Sequence, residues 1–354
     1  TLLGSDKLTW EKSYKTNIGL EMMLWGKLNL TLDYYWERRK DILIQRSSLP
    51  SMAGFDASIY ANMGEMDNKG VDANLEYQTR IGNKVGLRLF GNLTYSKNKI
   101  VFRDEPAMQY AYQKSEGTRY GEFYGYIAEG YFQSEEEIKK SPRQMRELAP
   151  GDIKYKDLND DGVIDANDQC YLGKSWFPSW SYGMGFNINY HNFDLALFFQ
   201  GVSDVSIMAN GGSIDTGNGD WGASGVGIVP FTGMGLNPSN VITKALDRWT
   251  ADNPRADAWY PRMTANATTN DNNYVNSTHW LKDGSYLRLK QASLGYTLEN
   301  KKLMDKGIEY LYFYLSGQNL LTFSKFKLWD PELGSNGAKY PLSRMVTLGM
   351  RVSF

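Results

Sequence analysis

The residues best placed by type and spacing to do chemistry lie between 157 and 168. Asp157, Asn159 and Asp161 stand at alternate positions, Gly162 follows, and Asp165 and Asp168 close the segment. Counted from Asp157, these are positions 1, 3, 5, 6, 9 and 12 of an EF-hand-type calcium loop, with Val163 at position 7 offering its carbonyl. A hard cation needs several oxygens converging within one loop, and a glycine at the sixth position lets the chain turn back sharply. Position 12 is Asp where such loops carry Glu, so bidentate closure is weakened. No pair of flanking helices is evident, which points to a structural ion rather than a sensing one. The bland alternative is an Asx-rich surface turn whose carboxylates cap backbone amides.

Other chemistry is scarce. A single cysteine, Cys170, excludes an internal disulfide and a cysteine-based zinc site. Two histidines, His191 and His279, leave little for imidazole catalysis. Asp215, Asp220 and Glu332 are scattered acids without the spacing of a hydrolase pair, so no enzyme is expected. The 39 basic and 40 acidic residues nearly cancel, which argues against a nucleic-acid partner. Aromatic residues crowd the stretches between the periodic segments. Trp176, Trp221, Trp249, Trp259, Tyr260 and Trp280 are candidate contacts for a substrate or a partner protein; internal packing of large loops is the alternative.

The elements that must position these residues are strands. Val346, Leu348, Met350, Val352 and Phe354 alternate with Thr347, Gly349, Arg351 and Ser353. The same period of two runs through 17–24, 28–36 and 181–190, and further strands are expected near 70–79, 86–96, 193–200, 285–298 and 310–319. Leu287 and Leu289 share one parity, whereas Leu294, Tyr296 and Leu298 share the other, so a bulge is expected near Gln291. Runs of about ten residues match a tilted membrane-crossing strand better than a globular one. No apolar run is long enough for a transmembrane helix.

Connections alternate short (26–27, 80–85, 191–192, 299–309) and long (38–67, 97–180, 201–284, 320–342). Outer-membrane barrels have short periplasmic turns and long extracellular loops. The expected fold is therefore all-β, a transmembrane antiparallel β-barrel of about nine strands that ends on the periplasmic side at Phe354. Residues 134–148 are expected to hold one or two short helical turns, interrupted at Pro142. Asn187, Asn189, Tyr312, Tyr314 and Arg351 are expected to face a polar lumen. Thr1 is neither a Met nor the start of a signal peptide, so the beginning reads as a processed or truncated end. A passive porin or adhesin barrel and a soluble glycan-binding β-sandwich share the alternation and stay open as alternatives.

Several segments resemble the SusC/RagA-type TonB-dependent outer-membrane transporters of Bacteroidetes. They include Asn68-Lys69-Gly70-Val71, Pro150-Gly151-Asp152-Ile153-Lys154-Tyr155, Tyr260-Pro261-Arg262, Asp283-Gly284-Ser285-Tyr286-Leu287-Arg288 and Gly317-Gln318-Asn319-Leu320. The resemblance implies an outer-membrane location and a 22-stranded barrel, of which residues 1–354 would form the C-terminal part with its last nine strands. It implies import of oligosaccharides or peptides, a SusD-like lipoprotein at the extracellular mouth, and energy from the TonB complex through an N-terminal plug absent from this chain. It also makes Phe354 resemble the terminal signal read by the barrel-assembly machinery.

Overall fold

The computed structural model describes residues 8–48, 59–82, 84–210, 242–263, 272–337 and 339–354. Nine strands form one antiparallel sheet in simple meander order. With strands numbered along the chain, they are β1 (Lys12–Leu24), β2 (Leu28–Gln45), β3 (Tyr60–Ile81), β4 (Val85–Phe102), β9 (Trp180–Tyr190), β10 (Phe193–Ser203), β13 (Tyr286–Leu298), β14 (Tyr310–Ser324) and β15 (Met345–Ser353). Three small two-stranded sheets lie in the connections. They pair β5 (Glu122–Gly125) with β8 (Cys170–Ser175), β6 (Ala128–Tyr131) with β7 (Ile153–Tyr155), and β11 (Ser206–Met208) with β12 (Leu281–Asp283).

The register sorts the large sheet into two chemically distinct faces. One row across neighbouring strands reads Leu28, Tyr77, Leu89, Phe186, Leu197, Ala292, Gly317 and Val346. The adjacent row, one residue along, reads Gln78, Arg88, Asn187, Ala196, Ser293, Ser316 and Thr347. Period-two alternation is what a wall between hydrocarbon and a wet interior requires. Asn187, Asn189, Tyr312, Tyr314 and Arg351 all fall on the polar face, as expected. There, Tyr312 donates to Asp194 Oδ2 at 3.0 Å. The Tyr314 ring lies over Gly349, where an added Cβ would come within 2.3 Å of it. Glycine at that position lets the ring lie flat on the neighbouring strand.

The expected bulge is present. Pairing between β13 and β14 shifts between Leu289 and Gln291, and β10 shifts opposite it between Phe198 and Phe199. The extra residue moves the apolar set from odd to even numbers while keeping it on one face. The tight turn after β1 places both Trp25 and Gly26 at positive φ, 53° and 62°.

The strands are longer than alternation alone indicates. Within the expected loop 38–67 most of the described residues are strand, because β2 continues to Gln45 and β3 begins at Tyr60. Beyond the hydrocarbon an apolar face is not needed, so the hydropathy signal ends while pairing continues. Ion pairs take over: Arg38 binds Asp67 through both oxygens at 2.5 and 2.6 Å, and Lys40 stands 3.6 Å from Glu65. Likewise β4, β10 and β14 run on to Phe102, Ser203 and Ser324. Helix α1 (Glu135–Lys140) is the expected short turn, capped by the Ser134 hydroxyl accepting from Glu137 N at 3.2 Å and ending before Pro142.

The wall contains few buried side chains, since both faces are open. Buried apolar residues such as Phe132, Ile153, Tyr155, Tyr260 and Trp280 belong to the connections. The two faces make a test possible. Phe186→Arg, on the apolar face between Leu89 and Leu197, is expected to lose about 2–4 kcal/mol and to fail to assemble. Asn187→Arg, one residue along on the polar face, is expected to assemble normally. Heat-modifiable mobility on SDS gels reads the difference, and equal behaviour of the two variants would remove the two-faced assignment.

Candidate functional site

The described parts of the two longest connections fold around one shared core. Trp280 is wholly buried at its centre. Its ring stacks on Tyr274 at 5.2 Å and meets Trp259 and Tyr260 edge-on at 5.3 and 5.7 Å. Its Nε1 donates to the Asn273 carbonyl at 2.6 Å. Trp249 joins the same cluster with Phe123, Tyr131, Ile153 and Ile164 from the other connection. Gly151 sits at a φ of +92° against the Trp249 ring, where an added Cβ would come within 2.2 Å.

A buried polar network locks the two connections together. Asp152, 1% exposed, receives Arg262 Nη2 at 2.9 Å, Asn273 Nδ2 at 2.8 Å and Ala149 N at 2.8 Å. Asn273 Oδ1 accepts from Ile153 N, and Gln144 Oε1 accepts from Tyr155 N. Asn272 donates to the Ile153 carbonyl and accepts from Gln144 Nε2, while the Tyr155 hydroxyl donates to the Asn272 carbonyl. Buried polar groups must be partnered, and here the bonds that Arg262, Asn272 and Asn273 make to 144–155 join partners more than a hundred residues apart in sequence. The Pro150–Tyr155 and Tyr260–Arg262 segments thus meet in one network that spacing along the chain does not reveal.

The Asp157 segment is a tight, self-bonded turn. Asp157 Oδ2 accepts from Gly162 N at 2.8 Å, Asn159 Oδ1 from Asp161 N at 3.1 Å, and Asp161 Oδ1 from Val163 N at 2.8 Å. Asp160 and Gly162 take positive φ, 58° and 80°. Asp165 caps the short turn after it, its Oδ1 accepting from Asn167 N at 2.7 Å. Asp168 is wholly buried, with Oδ1 accepting from Leu158 N at 2.7 Å and Oδ2 from Asp165 N at 2.9 Å. Both oxygens of Asp168, at position 12, accept from backbone amides, so its carboxylate clasps the loop.

Among the described residues, no three acidic, histidine or cysteine side chains converge as a metal cluster. Asp157 Oδ1, however, is buried without a hydrogen-bond donor among them. A buried carboxylate oxygen is costly unless something positive meets it. The donors that would hold a hard cation are Asp157, Asn159, Asp161 and the Val163 carbonyl, all oxygen, and their chemistry fits calcium.

The aromatic candidates divide by burial. Trp249, Tyr260 and Trp280 are interior, 6%, 0% and 0% exposed, so packing of the loop layer is their role and surface contact is not. Trp176 is 37% exposed, and Trp259 is half-buried at the edge of the core. Trp221 lies outside the described residues. Cys170 is a buried free thiol, and burial pushes its pKa up, which makes it unreactive.

His279 had no expected role, yet it sits at the seam of the core. Its ring meets Trp280 edge-on at 4.7 Å, and Nε2 lies 3.2 Å from the Trp259 carbonyl. That acceptor requires Nε2 to carry the proton of the neutral ring. Burial first, then the nearby Lys282 ammonium, push its pKa down to about 4. With the unfolded value near 6.5, the core is fully stable above that pH and loses stability as pH falls towards 4. A loss of about 1–2 kcal/mol is expected at pH 5. Amide exchange of residues 272–282 at pH 7 and pH 5 measures this, and His279→Gln is expected to flatten the response.

Comparison with known proteins agrees with the two-faced wall. Residues 2–320 match the family model described as TonB dependent receptor-like, beta-barrel. The chain is 28% identical over 383 residues to TonB-dependent receptor P3 of Formosa agariphila, covering all of this chain and 35% of that protein. It is 23% identical to TonB-dependent receptor SusC of Bacteroides thetaiotaomicron, over 99% of this chain and 32% of that one. A solved structure of the RagAB peptide importer in its closed-closed state superposes with a TM-score of 0.73 at 23% identity, over 99% of this chain and 36% of that one. The chain thus spans about a third of the length of the relatives it matches. The family comprises receptors of the outer membrane and not enzymes. The chain belongs to the TonB-dependent receptor β-barrel family.

Proposed function

We propose that the whole protein is a TonB-dependent importer of large nutrients, oligosaccharides or peptides, to which this chain contributes the C-terminal wall strands and an extracellular loop layer. The observation that carries this reading is the family match together with a wall whose apolar and polar faces separate residue by residue. The likeness to SusC and to the RagAB fold supports a SusD-like lipoprotein as the partner seated on the loop layer. Energy would reach the barrel from the TonB complex through a plug domain elsewhere in the whole protein. A passive porin needs no such layer of interlocked loops. Strands β1 and β15 are the two edges of the sheet, and β15 exposes Val346, Leu348 and Met350 at 70%, 81% and 59%. In hydrocarbon such edges must pair, so further strands complete the wall. Phe354, 90% exposed after β15, is proposed as the barrel-assembly signal.

Native purification of the full-length protein from outer membranes, followed by mass spectrometry, tests the partnership. A SusD-like lipoprotein with trapped glycan or peptide is the expected result. A barrel that purifies alone would return the passive-barrel reading.

The Asp157 loop is proposed to hold a structural calcium ion through Asp157, Asn159, Asp161 and the Val163 carbonyl. Calcium at about a hundred times its dissociation constant should stabilise the loop layer by about 2.7 kcal/mol. Melting followed by tryptophan fluorescence should show a calcium-dependent rise in the parent protein and none in Asp157→Ala. The same rise in both would rule the site out.

A further inference from the structure

A cavity of about 790 Å³ opens in the loop layer beside the aromatic core. Lys244, Lys282, Lys325 and Lys327 line it, together with Asp283, Trp259 and Trp329. Two of the four cations are already matched: Lys244 by Asp247 at 2.8 Å, and Lys325 loosely by Asp283 at 3.9 Å. Lys282 and Lys327 form no ion pair among the described residues. Lys282 Nζ donates to the His279 carbonyl at 2.6 Å and stands 5.3 Å from the Trp259 ring centre. Burial, with Lys244 nearby, pushes the Lys282 pKa down to about 8, the direction expected of an ammonium that lacks a counter-charge.

The two indoles are held in place. Trp259 meets Tyr260 at 4.6 Å and Trp280 at 5.3 Å. Trp329 donates from Nε1 to the Gly334 carbonyl at 2.8 Å, and Gly337 lies so close to its ring that an added Cβ would be 2.4 Å away. Fixed aromatic surfaces lose little entropy on binding and accept the C–H face of a sugar ring, while ammonium groups make charge-assisted bonds to anions. Peptide recognition would instead favour backbone donors and acceptors along an extended groove. Here the charged residues lining the cavity are four lysines against one carboxylate, Asp283.

We infer that this cavity binds an acidic oligosaccharide, its carboxylate or sulfate groups on Lys282 and Lys327 and a sugar face against Trp259 or Trp329. The inference rests on the importer reading and narrows its substrate class. Calorimetry on the full-length protein in detergent tests binding without relying on transport, so failure here leaves the importer reading standing. The probes are tetragalacturonate, sulfated maltotetraose, neutral maltotetraose and tetraglutamate. At least one of the two acidic sugars is expected to bind, and which one does so distinguishes carboxylate from sulfate. Its affinity should fall at least tenfold in Lys282→Met, several-fold in Lys327→Gln, and steeply with salt. Lys327 is exposed, so its variant keeps the test open should Lys282→Met fail to fold. Equal binding of neutral maltotetraose, unchanged affinity in the variants, or no binding of either acidic sugar would overturn the inference. Tetraglutamate bound as tightly as the sugars would reassign the cavity to acidic peptides.

Discussion

Every backbone amide and carbonyl that meets hydrocarbon must find its partner within the protein, and the rest of this structure follows from that requirement. A meander of antiparallel strands meets it, provided alternate residues point to lipid and to the wet interior. The wall then has no room for a conventional core, because among the described residues no second layer covers either face along the membrane-crossing stretch. Large buried side chains are displaced to the connections, where water is present on the outside and an interior can be enclosed. The architecture is thus a thin wall whose stability is two-dimensional, carrying a compact layer whose stability is three-dimensional.

The wall was legible in the sequence because lipid imposes a period of two over about ten residues. The bulge could be located near Gln291 from the change in parity between Leu289 and Leu294. The strand lengths were not legible. Past the hydrocarbon, Arg38, Arg39 and Lys40 follow one another without an apolar face, so the chain reads as loop while it still pairs with β3. Cross-strand charges such as Arg38 and Asp67 do there what lipid contact does lower down. Those pairs lie far apart along the chain and leave no periodic signal.

The loop layer was the least legible part. The type and spacing of Asp157 to Asp168 pointed to a calcium loop, with an Asx-rich turn as the alternative, and a spacing does not reveal which oxygens the backbone has already engaged. Asp168 is turned inward by two amides, and only Asp157 retains a buried oxygen without a donor. Tryptophans were prominent as contact candidates because they are large and rare. Size is also what a core around Trp280 needs, so residue type could not separate the two uses. Lys282, which forms no ion pair among the described residues, was invisible for a related reason: its neighbours Lys244, Trp259 and Lys327 come from three separated stretches.

The junction around Asp152 bears on how such receptors can diversify. Asp152 belongs to one long connection, and Arg262 and Asn273 belong to the other. A homologous exchange that brought in only one of the two would strand a carboxylate or a guanidinium in the interior. The pair must therefore travel as one cassette, whether by recombination in a genome or by grafting at the bench. The exposed rim around it is free to vary one residue at a time. Changes of cargo by transplantation, on this view, would come in blocks of well over a hundred residues, with fine adjustment confined to the surface.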